Sequence, residues 1–256
     1  MTEQRKEKFK SLCQEEKALP ACTPGEVIGT YREKRLHRVF KRWLCDDPQK
    51  HEQRVGRHVA DLLMGEEIFE IQTKNLRALK GKLQGYLENT DYRITVIHPM
   101  IGERSLVRMD RETGEVYSAR KSPKRATWFD ALPELYWIRE ELISSRVTVQ
   151  LFLITAEERR YSERMRYRRE GAYDGELFPE EMIAQRCLRK IDDYKDFLPQ
   201  GVMSFTASEY AVFSKQKGRR LYSCLNLLCA LGLLHRETEG RQYRYWIVKN
   251  GEFKSD

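Results

Sequence analysis

The clearest local pattern in the chain is an alternation of apolar and polar residues at 69–74, which predicts a β-strand. Side chains of a strand point alternately to its two faces, so one face is apolar and the other is chargeable. The chargeable face consists of Glu70, Gln72 and Lys74. A turn at 64–67 would reverse the chain and bring the preceding strand, which contains Asp61, alongside. The pattern therefore predicts that four polar side chains converge on one β-hairpin.

The hydrophobic pattern on either side of this hairpin predicts an α/β core with a mixed sheet. A helix at 30–44 has apolar residues on one face and a strongly basic opposite face. The elements predicted after the hairpin are a helix at 76–87, a strand at 92–98, a hairpin at 105–122 that turns at 112–114, a helix at 128–142 and a strand at 147–154. The core is expected to span 25–156.

Two segments outside this core are dominated by charge. Residues 1–24 are predicted to form a charged leader that is mobile or loosely docked. Residues 157–200 are predicted to form a charged linker with a connecting helix at about 179–195, because apolar periodicity fails at 157–169. A separate module is expected at 201–250.

The C-terminal module has the pattern of helix, turn, helix and two-stranded hairpin. Thr206 and Glu209 match a capping box that opens a short helix, a second helix follows at about 219–231, and Gly232 ends it. A hairpin then turns at Gly240. This order resembles a winged helix-turn-helix, in which the second helix enters the DNA major groove and the hairpin lies along the backbone. Winged helices also bind proteins, and a packing role is a third interpretation.

Charge favours a polyanionic partner without proving one. Charged residues make up 34% of the chain and its formal net charge is +8. Segment 205–250 has eight basic and three acidic residues, which concentrates a net +5 there. The basic residues expected to contact DNA in this module are Lys217, Arg219, Arg220, Arg241 and Arg244. A basic loop in the core either contacts phosphate or is a solvated run of charge; its residues are Arg120, Lys121, Lys124 and Arg125.

Several other classes are disfavoured by the sequence. The N-terminus is polar and contains acids, unlike a signal or transit peptide, and the longest apolar run, at 225–234, is too short to span a membrane. We therefore expect a cytoplasmic protein, with a homodimer left open. The six cysteines form no CxxC pair, so we interpret them as buried thiols, with a metal cluster of Cys13, Cys22 and His37 as the alternative.

The order of Asp61, a short hairpin and an acid-x-Lys triplet resembles the PD-(D/E)xK nuclease superfamily, which has the restriction-endonuclease-like fold. The resemblance covers about residues 25–155. It implies Mg²⁺ held beside a scissile phosphate by Asp61 and by Glu70 or Gln72, with Lys74 on the attacking water or on the phosphate. Gln72 stands where the superfamily has a metal-ligating carboxylate. This departure should weaken Mg²⁺ binding unless Glu70 takes over that role.

The resemblance extends upstream to the helix that begins near Thr30. It implies that Glu33 faces the metal site, although Thr30 and Glu33 also match a capping box, which is a purely structural explanation. The EIQT stretch at 70–73 is similar to one in bacterial proteins of unassigned function that join such a core to a C-terminal winged helix. The expected function is therefore that of a DNA-associated protein, and as an enzyme it would be a Mg²⁺-dependent DNA endonuclease. The alternatives are a non-catalytic DNA-binding or regulatory protein and a winged-helix adaptor.

Overall fold

The computed structural model describes residues 1–19, 28–110, 113–162 and 174–248, and within these ranges it leaves out the side chains at 28–34, 162, 174 and 175. The chain forms a mixed α/β fold with one large sheet and one small sheet. The large sheet has seven strands, and its main path runs β1-β2-β3-β4-β6-β7. These strands are β1 (His51–Val55), β2 (His58–Met64), β3 (Glu67–Ile71), β4 (Arg93–Asp110), β5 (Val116–Lys121), β6 (Val147–Ser162) and β7 (Asp174–Leu188).

The direction of the strands changes in the middle of the sheet. Strands β1, β2 and β3 are antiparallel neighbours, β3 and β4 are parallel, as are β4 and β6, and β6 and β7 are antiparallel. The predicted hairpin is confirmed, because Met64 pairs with Glu67 across a tight turn in which Gly65 has a φ of +60°. The predicted mixed sheet is likewise confirmed.

Helices cover both faces of the large sheet. On one face α1 (Glu3–Ala18) and α2 (Ile28–Leu44) pack over an apolar cluster that includes Phe40, Leu62 and Phe152. On the other face lies α3 (Lys80–Asn89), the crossover between the parallel strands β3 and β4. This crossover matches the helix expected at 76–87.

The helix expected at 128–142 is broken into short turns. Only α4 (Leu132–Leu135) is α-helical there, and 3₁₀ turns flank it on both sides. Pro133 lies in the first turn of α4 and has no amide hydrogen to donate to a preceding turn, so a continuous helix through this position would be destabilised.

The prediction of a loosely docked leader is wrong for the part that the structure describes. Helix α1 buries Phe9, Leu12 and Cys13 against α2 and β7. The buried Glu16 accepts two hydrogen bonds from Arg38, at 2.7 and 3.0 Å. Charge on the outer face of the helix conceals this narrow apolar stripe in the sequence.

The prediction of a charged linker with a helix at 179–195 is also wrong. Strands β6 and β7 form a long antiparallel pair, and only a 3₁₀ turn at Ile191–Phe197 follows it. Charges in this pair are matched within the sheet: the buried Glu158 accepts from Arg104 at 2.7 Å and from Arg160 at 3.0 Å. A run of charge can therefore occupy strands when each buried carboxylate has a cationic partner.

The C-terminal elements follow the predicted order of two helices and a hairpin. They are β8 (Ser204–Thr206), α5 (Ala207–Ser214), α6 (Gly218–Ala230), β9 (Leu234–Glu239) and β10 (Gln242–Ile247). The three strands form a small sheet in the order β8-β10-β9, and the predicted capping box at Thr206 and Glu209 is present. One continuous apolar cluster contains Leu132 and Leu135 of the core together with Leu225 and Leu228 of α6. The module therefore shares its hydrophobic core with the large sheet.

Within the described ranges, no helix combines the length and the apolar character needed to cross a bilayer. The five described cysteines are all free thiols. The prediction of buried thiols is confirmed for Cys13 and Cys224, whereas Cys45, Cys187 and Cys229 are partly exposed. Cys22 lies outside the described residues, so the alternative cluster of Cys13, Cys22 and His37 is untested there.

Candidate functional site

Asp61 lies on β2 close to the point where β3 ends. Its Oδ2 accepts a hydrogen bond from the Ile71 amide at 2.7 Å and lies 3.0 Å from Nε2 of His37 on α2. Burial opposes ionisation of this carboxyl group. The hydrogen bond from His37, the charge of His37 and the Ile71 amide outweigh that effect and hold the pKa of Asp61 below its ordinary value. Asp61 is therefore an anion at neutral pH.

Glu70 lies on β3 and is almost completely buried, with 2% of its surface exposed. Lys82 of α3 donates to both carboxylate oxygens, at 2.9 and 3.1 Å, and the Tyr86 hydroxyl donates to one of them at 2.7 Å. Lys82 also donates to the Val59 carbonyl at 2.7 Å, which ties α3 to β2. Burial and the negative charge of Asp61 nevertheless raise the pKa of Glu70 to about 7.

The negative charge of Asp61 acts on the neighbouring carboxyl group of Glu70. Asp61 is ionised, whereas the pKa of Glu70 lies in the neutral range because of the buried site and the nearby charge. A second cation beside Lys82 would relieve this repulsion and favour the ionised form of Glu70. Carboxylate oxygens are ligands that Mg²⁺ prefers, so Asp61 and Glu70 are the candidate metal ligands of this site.

Lys74 does not share a strand face with Glu70, and that prediction is wrong. Strand β3 ends at Ile71, and beyond it the Gln72 side chain donates to the Lys74 carbonyl and, at 3.4 Å, to the Asn75 carbonyl. Asn75 has a φ of +54°, so the chain turns sharply after the strand. Lys74 is exposed and lines a separate cleft. Period-two alternation applies only while the backbone stays extended.

Gln72 continues the sheet by one backbone hydrogen bond, from its amide to the Ile97 carbonyl at 2.9 Å. Its own carbonyl lies 2.6 Å from Nδ1 of His98. A carbonyl only accepts, so Nδ1 carries the hydrogen. Burial lowers the pKa of His98, which keeps the ring neutral. Because the Gln72 side chain is bonded to the turn, the amide supports the backbone after β3.

Lys82 and Tyr86 are the site residues that the sequence reasoning missed. They are four residues apart on α3 and therefore share one helix face. That face packs on the side of β3 to which Glu70 points. A lysine and a tyrosine at i,i+4 on the helix that follows a predicted acidic strand could have indicated two partners for the acid of that strand. Glu33, the other predicted site residue, lies outside the residues whose side chains are described.

The predicted basic loop is exposed throughout. Arg120, Lys121 and Lys124 have no side-chain partner among the described residues, whereas Arg125 lies 3.3 Å from Glu103. Arg120 and Lys121 are on β5, which pairs with the second half of β4 and with no other strand in the described part of the chain. This placement leaves the three unpaired cations accessible to an anionic partner.

The basic residues of the C-terminal module fall into two groups. Lys217, Arg219 and Arg241 are exposed. Arg220 instead contacts Asp130 of the core at 2.9 Å, and Arg244 pairs with Glu239 on the neighbouring strand. The first group therefore forms the accessible part of the predicted DNA surface.

The raised pKa of Glu70 gives a stability prediction. The folded protein binds a proton at Glu70 more tightly than the unfolded chain, whose ordinary pKa is 4.5, so the contribution of Glu70 to stability is present below that pH and is lost as pH rises through about 7. At about pH 8 we expect Glu70→Gln to have a higher free energy of unfolding than the wild type. This difference between the two proteins should shrink by roughly 3 kcal/mol as the pH falls to about 4. Urea unfolding at both pH values measures this.

The exposed Glu66→Gln is the matched control for the charge change, and it should show no comparable difference between the two pH values. If the difference in free energy of unfolding between Glu70→Gln and the wild type is the same at acid and neutral pH, the pKa of Glu70 is not raised.

Comparison with known proteins assigns a family to this sequence, and the descriptions of the matching family and protein name no activity. Residues 34–189 match the profile of a family described as a domain of unknown function, DUF8091, and this range contains Asp61, Glu70 and Lys82. An uncharacterized protein of Treponema pallidum (strain Nichols) is 27% identical over 132 residues. The alignment covers 51% of this chain and 51% of that protein, so the chain spans about half the length of the curated relative it matches. No solved structure matches significantly.

Proposed function

The chain belongs to the family described as a domain of unknown function (DUF8091), and we propose that it is a DNA-associated protein whose core is a Mg²⁺-dependent phosphodiesterase of the restriction-endonuclease-like type. The order of elements supports this proposal. Helix α2, the hairpin of β2 and β3, the crossover helix α3 and the parallel strand β4 follow one another along the chain. This is the order that the resemblance to the PD-(D/E)xK superfamily implies, and β1 is an additional strand.

The observation that carries the proposal is the cluster of Asp61, Glu70 and Lys82 on adjacent elements. The Ile71 amide, next to Glu70 in the chain, donates to Asp61 at 2.7 Å, and Lys82 contacts Glu70 at 2.9 Å. Burial and the charge of Asp61 together raise the pKa of Glu70. Mg²⁺ commonly binds through one or two carboxylates, with waters and a substrate phosphate completing its shell. Two acids are therefore sufficient for this type of site.

Each residue has a chemical task in the proposed reaction. Asp61 and Glu70 would hold Mg²⁺, which when bound polarises the phosphate and lowers the pKa of a coordinated water. Lys82 takes the role that the sequence assigned to Lys74: its ammonium group would balance negative charge that develops on the phosphate. Tyr86 donates to Glu70, and burial together with the Glu70 carboxylate raises the pKa of Tyr86. Tyr86 therefore stays protonated and fixes the orientation of the carboxylate.

Lys82→Gln separates metal binding from cleavage. We expect it to reduce Mg²⁺-dependent cleavage of plasmid DNA at least tenfold, since it removes the only cation in contact with Glu70 among the described residues. Mn²⁺ binding, measured by calorimetry at about pH 8.5 so that Glu70 is ionised, should persist because both ligands remain. Lys80→Gln on the same helix is the matched control, since Lys80 pairs with Glu140 instead.

The outcome of this experiment bears directly on the proposal. Wild-type protein that neither binds Mn²⁺ nor cleaves DNA would refute the enzymatic function. Equal cleavage by Lys82→Gln and Lys80→Gln would remove Lys82 from the mechanism.

A second candidate is a DNA-binding protein with a degenerate nuclease core. The specific observation in its favour is that Lys82 already supplies a counter-charge to Glu70, and that the Gln72 side chain is bonded to the backbone of the following turn. The exposed Lys217, Arg219 and Arg241 of the C-terminal module would then carry the binding. Metal titration distinguishes the two candidates, since the degenerate core predicts no Mn²⁺ binding that depends on Asp61.

A further inference from the structure

A cleft of about 280 Å³ lies at the seam between the large sheet and the C-terminal module. Its walls come from the loop after β3, from β4, from the loop after β5 and from the start of α6. The charged residues that line it are Lys74, Arg104, Lys124, Asp130, Glu158 and Arg220. Four of these six side chains are basic, so the cleft concentrates positive charge from several elements that are distant in sequence.

Contacts within the walls determine how much of that charge is available. Arg104 is held by Glu158 at 2.7 Å, and Arg220 is held by Asp130 at 2.9 Å. Both acids in the cleft are therefore already neutralised by arginines. Lys74 and Lys124 are exposed and have no side-chain partner among the described residues. The free charge of the cleft is thus two ammonium groups.

A second concavity, of about 460 Å³, continues from the cleft. Arg104 lines both spaces, and the second one adds the exposed Lys121. The other cations that it adds are paired with its acids: Lys10 with Glu181, Lys17 with Glu180 and Arg125 with Glu103. Lys121 also has no side-chain partner among the described residues. Within the described residues, unpaired ammonium groups are therefore present at Lys74 after β3, at Lys124 after β5 and at Lys121 on β5.

The rest of the cleft lining indicates which part of a ligand it would contact. The apolar lining residues are aliphatic, with Pro99, Met100 and Leu177 among them, and no aromatic ring lines the cleft in the described part of the chain. Sites that grip bases of single strands use aromatic side chains for stacking. This cleft offers cations for phosphates and an aliphatic floor, a lining that suits a sugar-phosphate backbone.

We infer that this cleft binds the phosphate groups of a nucleic-acid strand, with Lys74 and Lys124 as the contacting residues. The inference rests on the proposed association with DNA and assigns part of it to a surface outside the carboxylate pair. It also gives Lys74 a binding task in place of the catalytic one. Recognition through phosphates alone makes the binding independent of base sequence.

The test is the salt dependence of binding of a fluorescent single-stranded oligonucleotide to the full-length chain. Each phosphate contact on a single strand contributes about 0.7 to the slope of log K against log salt, so Lys74→Gln with Lys124→Gln should lower the slope by about 1.4. Affinity at low salt should fall about tenfold for the pair of substitutions. Oligonucleotides of different sequence should lose the same factor.

The matched control is Lys50→Gln with Lys190→Gln, which removes the same charge from exposed positions outside both concavities. A slope in the cleft variant equal to that of the control overturns the inference. Strong competition by inorganic pyrophosphate, with no change in oligonucleotide slope, also overturns it, since the cleft would then bind a free phosphate compound. The same cleft variant should bind Mn²⁺ as the wild type does in calorimetry. This measurement tests the proposed metal site, whereas the oligonucleotide slope tests the cleft, so the two proposals can fail independently.

Discussion

Asp61→Asn is expected to reduce Mg²⁺-dependent DNA cleavage by about two to three orders of magnitude, because a bound metal ion is worth several kcal/mol of transition-state stabilisation. Asparagine keeps an oxygen that can accept the hydrogen bond from the Ile71 amide, so the end of β3 stays in place. What is lost is the negative charge, which the structure maintains by holding the pKa of Asp61 below its ordinary value. The measurements are plasmid cleavage under single-turnover conditions and Mn²⁺ calorimetry.

The matched control for this substitution is Asp91→Asn, which makes the same chemical change at an exposed position. It should cleave and bind metal like the wild type. Circular dichroism melts should show that Asp61→Asn is folded. Undiminished cleavage by a folded Asp61→Asn protein would mean that the carboxylate pair is not the active site.

The sequence predicted the hairpin and one half of the site. Alternation at 69–74 and the turn at Gly65 bring Asp61 and Glu70 onto neighbouring strands, because strand period and turn chemistry are local properties. The position of Lys74 could not be predicted in the same way. Whether a strand ends at Ile71 or continues depends on the left-handed backbone at Asn75 and on the pairing with β4.

The other half of the site depends on tertiary packing. Lys82 meets Glu70 only because α3 crosses back over the sheet between two parallel strands. Sequence spacing shows that Lys82 and Tyr86 share a helix face, but it does not show against which strand that face packs. The ion pairs that accommodate charged residues in β6 are equally non-local, since Glu158 meets Arg104 of β4. For that reason the charged run predicts a linker where the structure has the strands β6 and β7.

Helix α1, in the segment predicted to be a loosely docked leader, can be tested directly for its contribution to stability. Phe9 is fully buried and packs edge to face on Phe40, with 5.2 Å between ring centroids, and on Trp43, with 6.1 Å. These aromatic rings form part of the apolar layer between α2 and the sheet. A loosely docked leader would contribute little to stability, whereas a docked α1 is part of the core.

Phe9→Ala is therefore expected to lower the free energy of unfolding by about 3–5 kcal/mol, the range for truncating a buried phenylalanine. Leu19→Ala, just past the end of the same helix and 48% exposed, is the control and should change stability by less than about 1 kcal/mol. Urea unfolding of the three proteins gives both differences. If Phe9→Ala costs no more than Leu19→Ala, α1 is loosely docked in solution and the interpretation from sequence is right. A large loss of unfolding free energy in Phe9→Ala would make α1 an integral layer of the fold. Because Arg38 of α2 donates hydrogen bonds to Glu16 of α1, a docked α1 would also help to fix α2, the helix that brings His37 to Asp61.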